Sequence, residues 1–316
     1  MAEIGQDIAR AQALLKDGKV IGMPTETVYG LAANALDAHA AAQIFEIKNR
    51  PSFDPLIIHT DKLEKLENWV QCIPDQLKTL IAHFSPGPLT VLLPRKPIIP
   101  DLITSGLPRV AVRIPNHPLT LNLLAQLDFP LAAPSANPFG YVSPTQAEHV
   151  NRQLGDKIEY ILDGGACKIG LESTIVGLEN EKLTVYRKGG LAIEAIEEIV
   201  GKVYVNEHSD SNPAAPGMLK SHYSPNKKMH LIDGSSKFHF RERVGILSFC
   251  ETWSEIGTQN QFILSPKGDL NEAAQHLFAG LRYLDEQDID DIYLELVPEK
   301  GLGRAINDRL RRAAAH

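Results

Sequence analysis

At 316 residues the chain exceeds what one hydrophobic core usually supports, so two domains are expected. Its 43% hydrophobic and 22% charged residues are ordinary for a globular protein, and no apolar run approaches the roughly 18 residues of a membrane span, which excludes a membrane protein. The net charge of −7 is shared by both parts of the chain, which argues against a basic nucleic-acid-binding domain, and three dispersed cysteines, Cys72, Cys167 and Cys250, exclude zinc ribbons and disulfide frameworks.

The opening stretch MAEIGQDIARAQALLKDG carries acids early and predicts an amphipathic helix over 6–17, ended by Gly18. It lacks the basic and apolar regions of a secretory signal, so the cytoplasm is the expected location. A short strand at 20–23 is broken by Pro24, and 37–48 predicts a second helix. Strand-like runs follow at 55–59, 89–93, 110–114, 131–133, 159–162, 174–177 and 183–186, with helices between several of them. This is an α/β pattern with a sheet of at least seven strands. Between 201 and 228 the periodicity lapses into a stretch rich in Ser, Asn, Pro and Gly that reads as a linker. Beyond it, 244–249 and 291–296 predict buried strands, and 269–284 and 302–315 amphipathic helices. The expected organisation is a domain at 1–203, a linker at 204–228 and a smaller α/β domain at 229–316.

The familiar nucleotide loops are missing. Gly165-x-x-x-x-Gly170 is followed by Leu171 and Glu172 where a Walker loop needs Lys and Ser or Thr, and Gly301-x-Gly303 lacks a third glycine. Any nucleotide is bound another way. Thr25, Glu26 and Thr27 directly follow an apolar strand, where they suit a small polar ligand; a turn in which Thr27 caps the next helix explains them equally well. Lys48 and Arg50 close a helix and either complement its dipole or capture phosphate, lysine as a point charge and arginine as a planar fork. Ser143-Pro144-Thr145-Gln146 has the form of a capping box, a task Ser143 would share with anion binding at a helix N-terminus. Arg109 and Arg113, four apart in a strand, project to one face. Glu172-Ser173-Thr174 and Arg187-Lys188-Gly189-Gly190 bracket an expected hairpin. Arg304, Arg309, Arg311 and Arg312 on the final helix read first as a solvated basic face and second as a docking surface.

Together, PTETVYGLAANA at 24–35, IFEIKNRP at 44–51, PLIIH at 55–59, SPGPLTVLL at 85–93, VAVRIPNHP at 110–118, APSAN at 133–137 and ESTIV at 172–176 resemble the YrdC-like domain of the threonylcarbamoyl-adenylate synthases. PGMLKSHYSP at 216–225 and EKGLGRAINDRLRRAA at 299–314 resemble the two-domain form of that family. The resemblance implies a twisted mixed sheet with a large concave cleft, plus a smaller C-terminal Rossmann-like α/β domain. It implies a Lys-x-Arg and Ser-x-Asn nucleotide-binding pattern at Lys48, Arg50, Ser135 and Asn137, with Lys48 and Arg50 catalytic. Ser52, Arg109, Ser143, Arg187 and Tyr223 would join them around ATP. Thr25, His59, Arg113, Ala133 and Ser173 would hold L-threonine or its carbamate, and His222 and Tyr223 would close the linker over the cleft as a lid. The implied reaction condenses L-threonine, bicarbonate and ATP into threonylcarbamoyl-AMP, with Mg²⁺ carried by ATP and no protein-held metal. A downstream tRNA threonylcarbamoyl transferase would consume the product, without tight tRNA binding here. Two alternatives are a carbamoyl-adenylate-forming enzyme of the hydrogenase-maturation type, which would carry C-x2-C pairs, and an RNA-binding module, which would be more basic and carry stacking aromatics.

Overall fold

Short apolar runs punctuated by proline and glycine become strands, and the runs of helical periodicity cross between them. The computed structural model describes residues 1–206, 215–216, 223, 225–232 and 242–315. In chain order the first part comprises β1 (Glu3–Gly5), α1 (Ile8–Lys16), β2 (Ile21–Met23), β3 (Gly30–Asn34), α2 (Ala38–Lys48), β4 (Ile57–His59), α3 (Asp75–Phe84), β5 (Leu89–Pro94), α4 (Asp101–Thr104), β6 (Arg109–Arg113), α5 (Pro118–Ala125), β7 (Leu131–Ala132), α6 (Ala147–Leu154), β8 (Tyr160–Leu162), β9 (Thr174–Glu179), β10 (Lys182–Arg187), α7 (Ile193–Val200) and β11 (Tyr204–Val205). The second part comprises β12 (Lys228–Ile232), β13 (Val244–Ser248), β14 (Gln261–Ile263), α8 (Leu270–Asp285), β15 (Asp291–Glu295) and α9 (Gly303–Ala313).

The first part forms one mixed sheet in the order β1-β8-β2-β3-β7-β4-β6-β5-β9-β10-β11, and the second a parallel sheet in the order β12-β15-β13-β14. This is the expected mixed α/β architecture with a smaller α/β domain. Strand β11 belongs to the first sheet, where it pairs in parallel with β10. The structure decides two local readings against a helix cap. No helix follows Thr27; the chain runs into β3 instead. Helix α6 starts at Ala147 with Gln146 at its N-cap and no side-chain cap bond, so 143–146 is not a capping box.

Side chains alternate across the first sheet. Ile58, Val91, Val110 and Val112 face a core built with α2, α3, α6 and α7. On the other face α1 and α5 pack near β2, β7 and β8. The rest of that face, with Ile57, Leu92, Ala111, Ile175 and Tyr186, packs among the described residues on Ala215 of the linker rather than on a helix. The β9–β10 ladder slips between Val185 and Arg187, and the irregularity brings both Tyr186 and Arg187 to this face.

The two domains share a core. Val28, Val142 and Leu171 pack together with the linker's Tyr223 and with Leu277, Phe278 and Leu310 of the second domain. At Gly170, φ 77°, a Cβ would come within 2.5 Å of the Gln275 Cα in α8, so only glycine allows this approach. Polar bonds cross the same seam: Arg282 donates to the Val142 carbonyl and, at 3.1 Å, to Gln153, while the Tyr141 hydroxyl donates to Asp285 at 2.6 Å.

Candidate functional site

The open face of the sheet and the loops at its strand ends enclose a cavity. Its polar wall holds Arg50, His59, Arg113, Ser135, Glu172, Ser173 and Arg187; Val28, Pro55, Ile57, Ala133 and Pro134 form the apolar wall. Pro216 and Tyr223 of the linker complete the enclosure, and the free volume left is ≈ 50 Å³.

Helix α2 ends at Lys48, and Asn49 turns the chain through the left-handed region at φ 52°. Lys48 is 1% exposed, and its Nζ donates to the Ser135 carbonyl at 2.6 Å and to the Asn137 carbonyl. Burial, and then the neighbouring Arg50 charge, hold its amine well below the usual lysine range. Arg50 is anchored by its fork. Nε donates to the Asp54 carbonyl at 3.0 Å, and Nη2 donates to the Pro55 carbonyl at 2.8 Å and pairs with the Asp54 carboxylate at 2.9 Å. The Asn137 amide bridges the Pro138 and Tyr141 carbonyls, at 2.9 and 2.8 Å, and so fixes the loop that Lys48 holds from behind.

The register of β4 against β6 sets His59 beside Arg113. Burial and the Arg113 charge push the His59 pKa down to about 3, so the ring is neutral, and its Nδ1 has no hydrogen-bond partner among the described residues. Arg113 donates from Nε to the Gly87 carbonyl at 3.2 Å and forms a buried ion pair with Glu26 at 2.7 Å, off the line of a hydrogen bond. Glu26 lies in a turn shaped by Thr25, whose hydroxyl accepts from the Thr27 and Val28 amides at 3.1 and 3.2 Å and donates to the Val28 carbonyl at 2.6 Å.

Ser173 shares a 2.6 Å hydroxyl–hydroxyl bond with Thr90. Arg187 donates from Nη2 to the Ser173 hydroxyl and from Nε to its carbonyl, both at 3.0 Å, and from Nη1 to Pro216 at 3.5 Å. Burial lowers the Arg187 pKa to about 10, which leaves it a cation at neutral pH. A Cβ on Gly189 would fall 2.3 Å from the Glu172 carbonyl, so this close approach of backbones beside the site requires glycine. Glu172 accepts from the Ser143 hydroxyl at 2.6 Å and from Arg309 Nε at 3.0 Å. Burial pushes its pKa up, but Arg309, then Arg187 and the Ser143 bond, outweigh burial and keep it ionised.

The structure therefore gathers Arg50, His59, Arg113, Ala133, Ser135, Ser173, Arg187 and Tyr223 around one cavity. Lys48, Asn137 and Ser143 stand directly behind its wall, Lys48 and Asn137 through the Ser135–Asn137 loop and Ser143 through Glu172. The Thr25 hydroxyl is engaged in its turn, and Ser52 is exposed after α2. Arg109 lies at the far end of β6, where it donates to the Leu178 carbonyl at 2.9 Å and the Tyr186 hydroxyl at 3.1 Å. His222 lies outside the described residues. Sequence reasoning named Glu26 and Glu172 within motifs but not as counter-ions, and it missed Asp54, for which the four-residue spacing from Arg50 was a local signal. The basic face of α9 is also corrected: Arg309 and Arg312 are 0% and 5% exposed, turned into the seam between domains toward Glu172, Asp308 and Tyr223. Arg304 and Arg311 remain partly exposed and pair with Glu194 and Glu299. Among the described residues no three His, Cys, Asp or Glu side chains gather as a metal-ligand set, and no helix is long and apolar enough to cross a membrane.

The family model described as telomere recombination, for Sua5, YciO and YrdC, matches residues 13–189, and that of the threonylcarbamoyl-AMP synthase C-terminal domain matches residues 191–315. The threonylcarbamoyl-AMP synthases of Pyrococcus abyssi and Bacillus subtilis are each 40% identical over 97% of this chain, covering 93% and 92% of their own lengths. The crystal structure of P. abyssi Sua5 complexed with L-threonine superposes with a TM-score of 0.90 at 36% identity, over 99% of this chain and 97% of that one.

Proposed function

The chain belongs to the Sua5/YrdC family in its two-domain form and makes threonylcarbamoyl-AMP, an ATP-using nucleotidyl transfer in tRNA modification; we propose that the cavity beside Tyr223 is where it does so. The observation that carries this assignment is the convergence of three anchored guanidiniums, those of Arg50, Arg113 and Arg187, on one cavity with a neutral imidazole and a serine hydroxyl. Such a wall favours anions, and fixed forks recognise carboxylate, carbamate and phosphate.

In the reaction we propose, the amine of L-threonine adds to CO₂ derived from bicarbonate, the carbamate oxygen attacks the α-phosphorus of ATP, and pyrophosphate leaves. Displacement at phosphorus depends mainly on positioning and charge neutralisation, so Lys48 and Arg50 are assigned to the phosphates of MgATP, with Arg187, Ser135 and Asn137 shaping the nucleotide side. His59, Arg113 and Ser173, beside Ala133, hold threonine and its carbamate, while Thr25 sets the turn that presents Glu26 to Arg113. The Lys48 amine, now shared between two carbonyls, would turn to phosphate when the nucleotide arrives. Carbamates and mixed anhydrides decompose in water, so the linker between β11 and β12, closing through Pro216 and Tyr223 as a lid, protects the intermediates before a tRNA threonylcarbamoyl transferase takes the product. Pyrophosphate release from MgATP, measured with L-threonine and bicarbonate together and with each omitted, tests the substrate set. Release should require both; release indifferent to threonine would refute it.

A further inference from the structure

We propose that α9 of the C-terminal domain is part of the active-site architecture: Arg309 and Arg312 are positioning residues that clamp the Tyr223 ring into the cavity wall, and Arg309 fixes the Glu172 carboxylate next to it. This inference rests on the assignment of the cavity to substrate.

Tyr223 is 1% exposed and has a left-handed backbone at φ 70°, a conformation that a tyrosine keeps only where its surroundings hold it. The cavity lies on one side of it, and on another three side chains of the C-terminal domain hold its ring. The Arg309 and Arg312 guanidinium carbons lie 4.9 and 5.1 Å from the ring centroid, and Phe278 of α8 stacks at 5.5 Å. Cations over an aromatic face are attracted most strongly where both are out of water, as here. Arg309 has every arm of its fork engaged: Nε with Glu172 at 3.0 Å, Nη2 with the Lys188 carbonyl at 2.9 Å and Nη1 with Asp308 at 2.6 Å. Asp308 also faces Arg312 at 3.6 Å, so one carboxylate aligns both cations. The Lys188 and Glu172 contacts are to the two segments that carry Arg187 and Ser173, which ties the clamp to the cavity wall from behind.

A clamp acts on the reaction through Tyr223, whereas simple adhesion between domains acts on stability alone. The full-length chain is compared with Tyr223→Leu, Arg312→Met and the double variant, with kcat and KM for L-threonine taken from pyrophosphate release and thermal midpoints taken alongside. Arg312 is chosen because replacing it leaves the buried Arg309–Glu172 pair intact. Each single change should lower kcat/KM for threonine about tenfold, and the double variant should be no worse than the weaker single. Arg312→Lys, which restores a cation over the ring, should recover most of the loss. Independent losses multiplying to about a hundredfold, or a lower midpoint with kinetics unchanged per folded enzyme, would overturn the clamp. Wild-type kinetics in Tyr223→Leu would instead overturn the cavity assignment on which the clamp depends.

Discussion

Replacing His59 with glutamine should flatten the acid side of the stability profile by an amount the structure sets. The imidazole pKa drops from 6.5 to about 3 on folding because burial strips its water and Arg113 stands beside it. Between those values the unfolded chain binds a proton that the folded one refuses. The stability gained by keeping the ring neutral is therefore complete above pH 6.5 and is lost progressively as pH falls toward 3. At about 1.4 kcal/mol per pH unit, lowering the pH from 7.5 to 5.0 removes about 2 kcal/mol through this one group. His59→Gln has no such proton and should lose about 2 kcal/mol less than the parent over the same interval. Urea unfolding at the two pH values measures it, with Trp69 fluorescence in a Trp253→Phe background so that the N-terminal domain alone reports. His149, whose pKa burial lowers to about 4, contributes equally to both proteins and cancels. Equal pH dependence in the two would mean that the folded site accepts a proton at His59, and the description of a dry, cationic wall would fall.

Lys48→Ala should depress pyrophosphate release by at least about 100-fold with the circular dichroism spectrum unchanged, the scale for removing one charge-stabilising donor; near-normal release would remove Lys48 from the site. Glu26→Gln leaves Arg113 buried without its counter-ion and should destabilise by about 3–5 kcal/mol, whereas Glu26→Leu with Arg113→Met should regain much of that stability yet fail to bind threonine in calorimetry. Gly170→Ala drives a methyl into the Gln275 backbone, and should lower the thermal midpoint and activity together; a variant identical to the parent would show that α8 does not lie against this loop.

The elements that sequence made plain are those whose side chains announce them. The apolar run around Val110–Ala111–Val112 and the periodicity of Asp269–Leu284 each mark an element found within a residue or two of its expected ends. Strand β3 was not anticipated because Gly-Leu-Ala-Ala-Asn has weak strand propensity; it is a strand because β2 and β7 pair with its two edges. The apparent capping box failed for a related reason. Ser143 is drawn to an ionised carboxylate 29 positions away, a stronger attraction than a local amide offers, so the helix starts later. Around the cavity, Lys48, Arg50, Ser135 and Ser173 stood out as members of motifs. Glu26 and Glu172 were visible there too but not as counter-ions, and Asp54 was not visible at all, since a carboxylate that neutralises a buried arginine is specified by three-dimensional proximity and carries no spacing of its own. The arginines of α9 show this most clearly: a charged face on an amphipathic helix suggests solvent until the partner surface is known.

Glu172 and Arg309 stand 137 positions apart on different domains; losing Arg309 strips Glu172 of its ion pair, and losing Glu172 leaves Arg309 with Asp308 as its remaining counter-ion. Without the C-terminal domain, Glu172 would keep the Ser143 hydroxyl and the Arg187 charge but lose its ion pair. A chimera joining this N-terminal domain to a foreign partner would inherit the same defect unless an arginine stood on the corresponding turn of the last helix. The two positions thus form a compatibility pair between the two domains of this chain.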